Sequence, residues 1–215
     1  MGKLVFYYGP MGCSKTANAL MLRFQYLSKN KSVWLIKPSI DTRDDVIDKD
    51  GNRVAFVKSR IGLEAEATLI DQQTDLYNEY CKLTSCMPNN YNQECVCSDT
   101  ARVAYDVIIC DEAQFLTELQ VEQLKDIASL TKTDILCFGL RTDFKTKLFP
   151  GSKRLFELAD KTIELEGICE CGQPALINAR VNKQGKVLTQ GAQVDIGGDE
   201  KYKTMCWKCY KNSLI

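Results

Sequence analysis

Residues 3–8 (KLVFYY) form a short apolar, aromatic run, residues 9–16 read GPMGCSKT, and residues 15–29 are rich in helix formers. Strand, loop, helix is the setting of a phosphate-binding loop, where backbone N–H groups and a helix N-terminus converge on phosphate oxygens. The pattern G-x-x-x-x-G-K-[ST] is met by Gly9 at its start and by Lys15 and Thr16 at its end, while Ser14 stands where the second glycine belongs. Serine keeps the backbone N–H that such a loop uses, so the exchange predicts modest backbone strain and a working loop. In that reading Gly9, Pro10, Met11, Gly12, Cys13 and Ser14 wrap the phosphates, Lys15 supplies a point charge, and Thr16 offers its hydroxyl to Mg2+. The competing reading is a glycine-containing strand-to-helix turn with an incidental Lys-Thr pair.

A second element speaks for the phosphate loop. Residues 103–110 are a continuous apolar run, as expected of a central buried strand, and residues 107–112 (VIICDE) end it in two acids. An acid at such a strand end, on a strand beside the phosphate-loop strand, helps to hold Mg2+. Asp111 fits that role and leaves Glu112 free to act as a base; the alternative is an acidic cap for a helix near Thr117.

The rest of the first 165 residues alternates in type. Strands are expected at 32–37, as the parallel neighbour of the first strand, at 67–70 and at 134–140; helices at 71–80, 117–130 and 153–160; and a polar, mobile loop at 41–53. Leu20, Phe24 and Leu27 fall at helical spacing, marking a core-facing stripe on the first helix. Such alternation argues for an α/β fold with a parallel sheet. Around Glu166 the character changes to cysteines, glycines and short polar segments, which divides the chain into residues 1–165 and a small module at 166–215.

Two counts narrow the chemistry: the 215 residues include 11 cysteines and no histidine. General base, general acid and nitrogen metal ligand must then all be something else, and a carboxylate base and an all-cysteine zinc site are the natural replacements. Cys169 and Cys171, followed by Cys206 and Cys209, have the arrangement of a four-cysteine zinc ribbon, with C-x-C in place of the commoner C-x-x-C; free thiols are the alternative. Cys81, Cys86, Cys95 and Cys97 lie in an Asn-rich stretch that reads as an insertion with spare thiols, a second metal site being the alternative. Cys13 is a candidate for oxidation at a helix start, and Cys110 and Cys137 read as core. Lys+Arg and Asp+Glu balance at 28 each, which disfavours a polyanionic partner such as nucleic acid or an anionic membrane. The opening residues lack the features of a signal peptide and no apolar run is long enough to span a bilayer, so a cytoplasmic protein is expected.

GPMGCSKT, then DEAQF at 111–115, then GLRTDF at 139–144, then a cysteine ribbon interrupted by VDIGGDEKYKTMC, together resemble the type II thymidine kinases over nearly the whole chain. The resemblance implies a RecA-like domain with a zinc-anchored lasso that closes over a nucleoside, and transfer of a phosphoryl group from ATP to thymidine, with deoxyuridine as a further acceptor. It implies Glu112 as the base on the 5′-hydroxyl, Thr16 and Asp111 on Mg2+, and Asp111, Ala113 and Gln114 in the ATP region. Asp41 and Arg43 would sit near the reacting phosphate, and Met11, Phe115, Leu140 and Phe144 would wall the thymine. Ile196, Gly197, Gly198 and Tyr202 would hold the base from the lasso, with Arg180 nearby. A homotetramer and feedback by dTTP also come with the resemblance. Ser14, the C-x-C pair and residues 81–101 depart from the family pattern. Two readings compete with this one: a P-loop ATPase or switch whose ribbon binds nucleic acid or protein, and a binding module without turnover.

Overall fold

A computed structural model describes residues 1–84, 105–193 and 201–214. In chain order the elements are β1 (Leu4–Tyr8), α1 (Lys15–Leu27), β2 (Val33–Pro38), β3 (Val46–Ile47), β4 (Arg53–Lys58), β5 (Glu64–Ile70), α2 (Leu76–Thr84), β6 (Val107–Cys110), α3 (Glu118–Leu130), β7 (Asp134–Gly139), α4 (Pro150–Leu158), β8 (Lys161–Glu164), β9 (Gly167–Ile168), β10 (Pro174–Ala175), β11 (Ile177–Arg180), β12 (Tyr202–Met205) and α5 (Trp207–Asn212). A 3-10 turn occupies Ala113–Phe115.

Eight strands form one sheet in the order β3-β4-β5-β2-β6-β7-β1-β8, parallel from β5 to β8, with β4 and β3 added antiparallel at one edge. Alternation along each strand builds a core on both faces. Leu4, Phe6, Ile108, Cys110, Ile135 and Cys137 face α2, α3 and α4, whereas Val107, Ile109, Leu136 and Phe138 face α1. Cys110 and Cys137 are register partners in that core, as their apolar settings predicted. Helix α3 starts where expected because Thr117 and Gln120 form a capping box, each side chain bonding the other's backbone N–H.

The sheet order changes two expectations. The 32–37 strand is parallel but not adjacent to β1, since β6 and β7 lie between them. The strand carrying Asp111 and Glu112 is likewise separated from β1, by β7 alone. The acids still reach the loop because both strands end on the same side of the sheet. The polar 41–53 stretch carries β3 and leads into β4, and strand 67–70 begins earlier, at Glu64. The 71–80 helix starts later, at Leu76, because Asp71 and Thr74 close a turn in which Asp71 Oδ1 accepts from Thr74 Oγ1 and Gln73 N. On α1, Leu20 is buried but Phe24 is 71% exposed and Leu27 42%, so the helical stripe extends beyond the core that the described residues form.

The main sheet ends with β8, and two short antiparallel ribbons follow, β9 with β10 and β11 with β12. Among the described residues no helix is long and apolar enough to cross a membrane.

Candidate active site

The loop between β1 and α1 turns into the helix at Ser14. Ser14 precedes α1 with φ 65° and ψ 24°, in the left-handed region where glycine is favoured. Lys15 is buried, and its ammonium donates to the carbonyls of Gly9 (3.2 Å) and Pro10 (2.6 Å). Cys13 Sγ lies 3.6 Å from the same ammonium, and the side chain is buried, which shields the thiol proposed for oxidation.

Thr16 Oγ1 donates to Asp111 Oδ2 at 2.9 Å, joining the helix start to the end of β6. Burial, with the neighbouring Glu112 charge, pushes the Asp111 carboxyl up to about 7, although Thr16, the Glu112 N–H and Lys15 act in the other direction. Such a carboxylate lacks a full countercharge, and a hard oxygen pair of this kind suits a hard cation.

Glu112 sits at φ 52°, an uncommon place for a side chain of its kind, held by the turn that follows β6. Its two carboxylate oxygens are bonded on opposite sides. Arg43 Nη2 donates to Oε1 at 2.5 Å and Gln114 Nε2 to Oε2 at 2.5 Å, while Gln114 Oε1 accepts from Leu140 N. Arg43 also donates to Asp41 Oδ1 at 2.6 Å. Burial works to raise Asp41, but Arg43 and Lys37 outweigh it and hold the carboxyl below its ordinary value. The Glu112 charge keeps Arg43 protonated against its burial. Behind this pair Lys37, 1% exposed, meets Asp41 at 3.3 Å, Asp45 at 3.2 Å and the Phe56 carbonyl at 3.1 Å.

These groups open onto one cavity of about 460 Å³. Met11, Gly12, Ser14, Lys15, Thr16, Asp111, Glu112 and Gln114 line one part, with Asp41 and Arg43 beside them. Phe115, Leu140, Phe144 and Tyr202 line another. Phe115 packs edge-on against Phe149, and the Arg180 guanidinium stacks 4.1 Å from the Phe144 ring centroid while donating to Tyr202 Oη at 3.0 Å. Ala113 is fully buried in the core and lies off the cavity, and Gly9, Pro10 and Cys13 contribute backbone and packing behind it. Ile196, Gly197 and Gly198 lie outside the described residues, as do Cys86, Cys95 and Cys97; Cys81 is buried on α2.

Several lining residues were not singled out in the sequence. Lys37 read as a strand end, Asn178 fell among the short polar segments after Glu166, and Lys58, Ser59 and Arg60 carried no reading. The β4–β5 turn overhangs the β1–α1 loop: Arg60 Nη1 is 3.7 Å from where a β-carbon on Gly12 would stand. Only its charged, small-residue composition (KSRIG) hinted at that role.

Cys169, Cys171, Cys206 and Cys209 converge, with sulfur atoms all within 4.8 Å of one another, and can hold a metal ion. Gly172, at φ 82°, gives the tight turn in which its N–H bonds the Cys169 carbonyl, so C-x-C-G brings both thiols to one side. N–H groups of Cys171 and Cys206 lower the Cys169 thiol to about 7.

The thymidine kinase family model matches residues 2–210. The chain belongs to the thymidine kinase family. Curated thymidine kinases of Vibrio cholerae and Haemophilus influenzae are each 36% identical to it, over 100% and 98% of this chain and 99% and 97% of theirs. The thymidine kinase of Enterobacteria phage T4 is 38% identical over 97% of this chain and 95% of its own. The match covers both the α/β body and the cysteine-bearing ribbons.

Proposed function

We propose that the chain transfers the γ-phosphoryl group of ATP to the 5′-hydroxyl of thymidine, giving ADP and dTMP in nucleotide salvage, with deoxyuridine as a second acceptor. The observation that carries this reading is the placement of Glu112 between the phosphate loop and the aromatic part of the same cavity. Phosphoryl transfer to an alcohol asks for positioning, charge neutralisation and a proton acceptor at the hydroxyl. Here Lys15 and the loop N–H groups hold the phosphates, and Thr16 with Asp111 would hold Mg2+, which supplies countercharge to the β- and γ-phosphates when bound. Glu112 takes the hydroxyl proton. Gln114 and Arg43 fix its carboxylate, and Arg43 lies near enough to turn part of its charge toward the transferring group. Phe115, Leu140, Phe144 and Tyr202 enclose a flat pyrimidine, and by family resemblance Ile196, Gly197 and Gly198 contribute to holding the base.

The four thiols fit zinc: the Cys171–Cys206 sulfur separation of 3.7 Å agrees with the about 3.8 Å expected of tetrahedral Zn–S bonds. Zinc bound here would fasten the turn carrying Cys169 and Cys171 to the segment carrying Cys206 and Cys209. dTTP, with both the base and a triphosphate, has the chemistry to inhibit by occupying the cavity. The exposed Phe24 and Leu27 on α1 favour a homo-oligomer, a tetramer by family resemblance, and the protein is assigned to the cytoplasm. Incubation with ATP radiolabelled at the γ-position, in parallel with each nucleoside, tests the reading. Label recovered in dTMP supports it, and label released only as inorganic phosphate rejects it.

A further inference from the structure

One residue of the phosphate loop is gripped from the other module. Met11 N donates to Asn178 Oδ1 at 2.7 Å, and Thr204 Oγ1 donates to the Met11 carbonyl at 2.9 Å. Asn178 and Thr204 are direct register partners on β11 and β12. Directly opposite residues share a face of a ribbon, so one face of this two-stranded ribbon takes both polar groups of one loop residue. The next pair on the same face, two residues along, is Arg180 with Tyr202. Arg180 of this pair stacks on Phe144 and donates to Tyr202 Oη, and Phe144 and Tyr202 both line the aromatic part of the cavity. A further contact tightens the joint: a β-carbon on Gly167 would stand 2.6 Å from Pro10 Cγ, so the Gly167 backbone packs directly against the Pro10 ring.

We propose that Asn178 and Thr204 are positioning residues that hold Met11, so that the β11–β12 ribbon couples the acceptor end of the cavity to the phosphate loop. A phosphate loop acts through the directions of its N–H groups, and those follow from the orientation of each peptide unit. Asn178 and Thr204 fix the units on either side of Met11 Cα. An acceptor that orders Arg180 and Tyr202 orders the same ribbon face two residues away, and with it the loop. Each substrate then finds the other's site more nearly formed, which is positive cooperativity without direct contact between the two ligands. The inference rests on the kinase reading for the identity of the acceptor, but the grip on the loop stands on the two hydrogen bonds alone.

The test titrates the full chain, with Mg2+, with a non-hydrolysable ATP analogue in the presence and absence of saturating thymidine. Thymidine is expected to tighten the analogue about fivefold or more, within the usual range of coupling between sites. Thr204→Val, which keeps the shape and loses the donor, is expected to weaken the analogue about threefold to tenfold without thymidine, as for loss of one hydrogen bond. It should also bring the thymidine effect close to one, while Thr204→Ser restores both. Thermal midpoint and metal content, measured in parallel, separate this from general loosening. Should Thr204→Val fail to fold, Asn178→Ala removes the other hold on Met11 and is read in the same way. Unchanged analogue affinity and an unchanged thymidine effect in Thr204→Val would overturn the proposal, as would a wild-type protein that binds both ligands independently. If thymidine does not bind at all, the kinase reading fails, while weaker analogue binding in Thr204→Val and its recovery in Thr204→Ser would still uphold the grip on the loop.

Discussion

Arg43 and Glu112 are joined by a 2.5 Å hydrogen-bonded ion pair between segments that follow the C-terminal ends of the neighbouring parallel strands β2 and β6. The pair ties the segment after β2 to the turn after β6. It holds the Glu112 carboxyl group at the cavity, where a base would meet an alcohol.

Glu112→Gln keeps the size of the side chain and the left-handed backbone but removes the proton acceptor. Turnover should fall by about 10²- to 10⁴-fold, the usual worth of a positioned general base. Binding of a non-hydrolysable ATP analogue should change little. Steady-state kinetics with a parallel binding titration reads both quantities, and full turnover would remove Glu112 from the base role.

Asp111 makes the stability of the ligand-free protein depend on pH. Its carboxyl moves from 3.8 when unfolded to about 7 when folded, so between those values the native state retains a proton that the unfolded state has lost. This contribution is fully present below the unfolded value and is lost as pH rises through the folded one. Asp111→Asn should therefore gain stability over wild type as pH rises from about 4 to about 7, and should lose Mg2+-dependent activity. Denaturant midpoints measured across that range with a chelator present provide the check; a constant difference would contradict it.

Ser14→Gly relieves a left-handed serine, φ 65°, but gives the unfolded chain more freedom. The balance should raise stability by up to about 1 kcal/mol and leave activity equal or higher. A large loss of activity would give the Ser14 side chain a direct role.

Cys206→Ser removes one of four converging thiols and the group that caps α5 by accepting from Cys209 N. Bound zinc should fall to near zero, and the thermal midpoint should drop, because metal binding and folding are coupled in a site of this kind. Metal analysis of the purified variant decides it: full zinc occupancy would contradict the four-thiol site.

The parts of the fold that could be read from the sequence are those where local signals act alone. The β1–loop–α1 unit, β6 with its terminal acids, and α3 with its Thr117 cap each carry their own punctuation. Residues 53–58 alternate Val, Ala, Phe and Val between charged ends, but the polar run before them masked the strand that they form. Strand order was misjudged because sequence neighbours, such as β1 and β2, need not be sheet neighbours when later strands insert between them. Within the site, the motif residues Lys15, Thr16, Asp111 and Glu112 were legible because their chemistry depends on spacing. Lys37 and Asn178 were not: Lys37 acquires its role only through burial against Asp41, Asp45 and the Phe56 carbonyl, and Asn178 through Met11, 167 residues away.

The central claim is that thymidine is the acceptor. Its most direct test is to follow ADP release from Mg·ATP by the purified, metal-loaded protein with and without thymidine, using other nucleosides as controls. The account predicts ADP formation that depends on thymidine and is matched by dTMP. ADP formed at the same rate without thymidine, or no ADP from the folded protein with thymidine present, would contradict it.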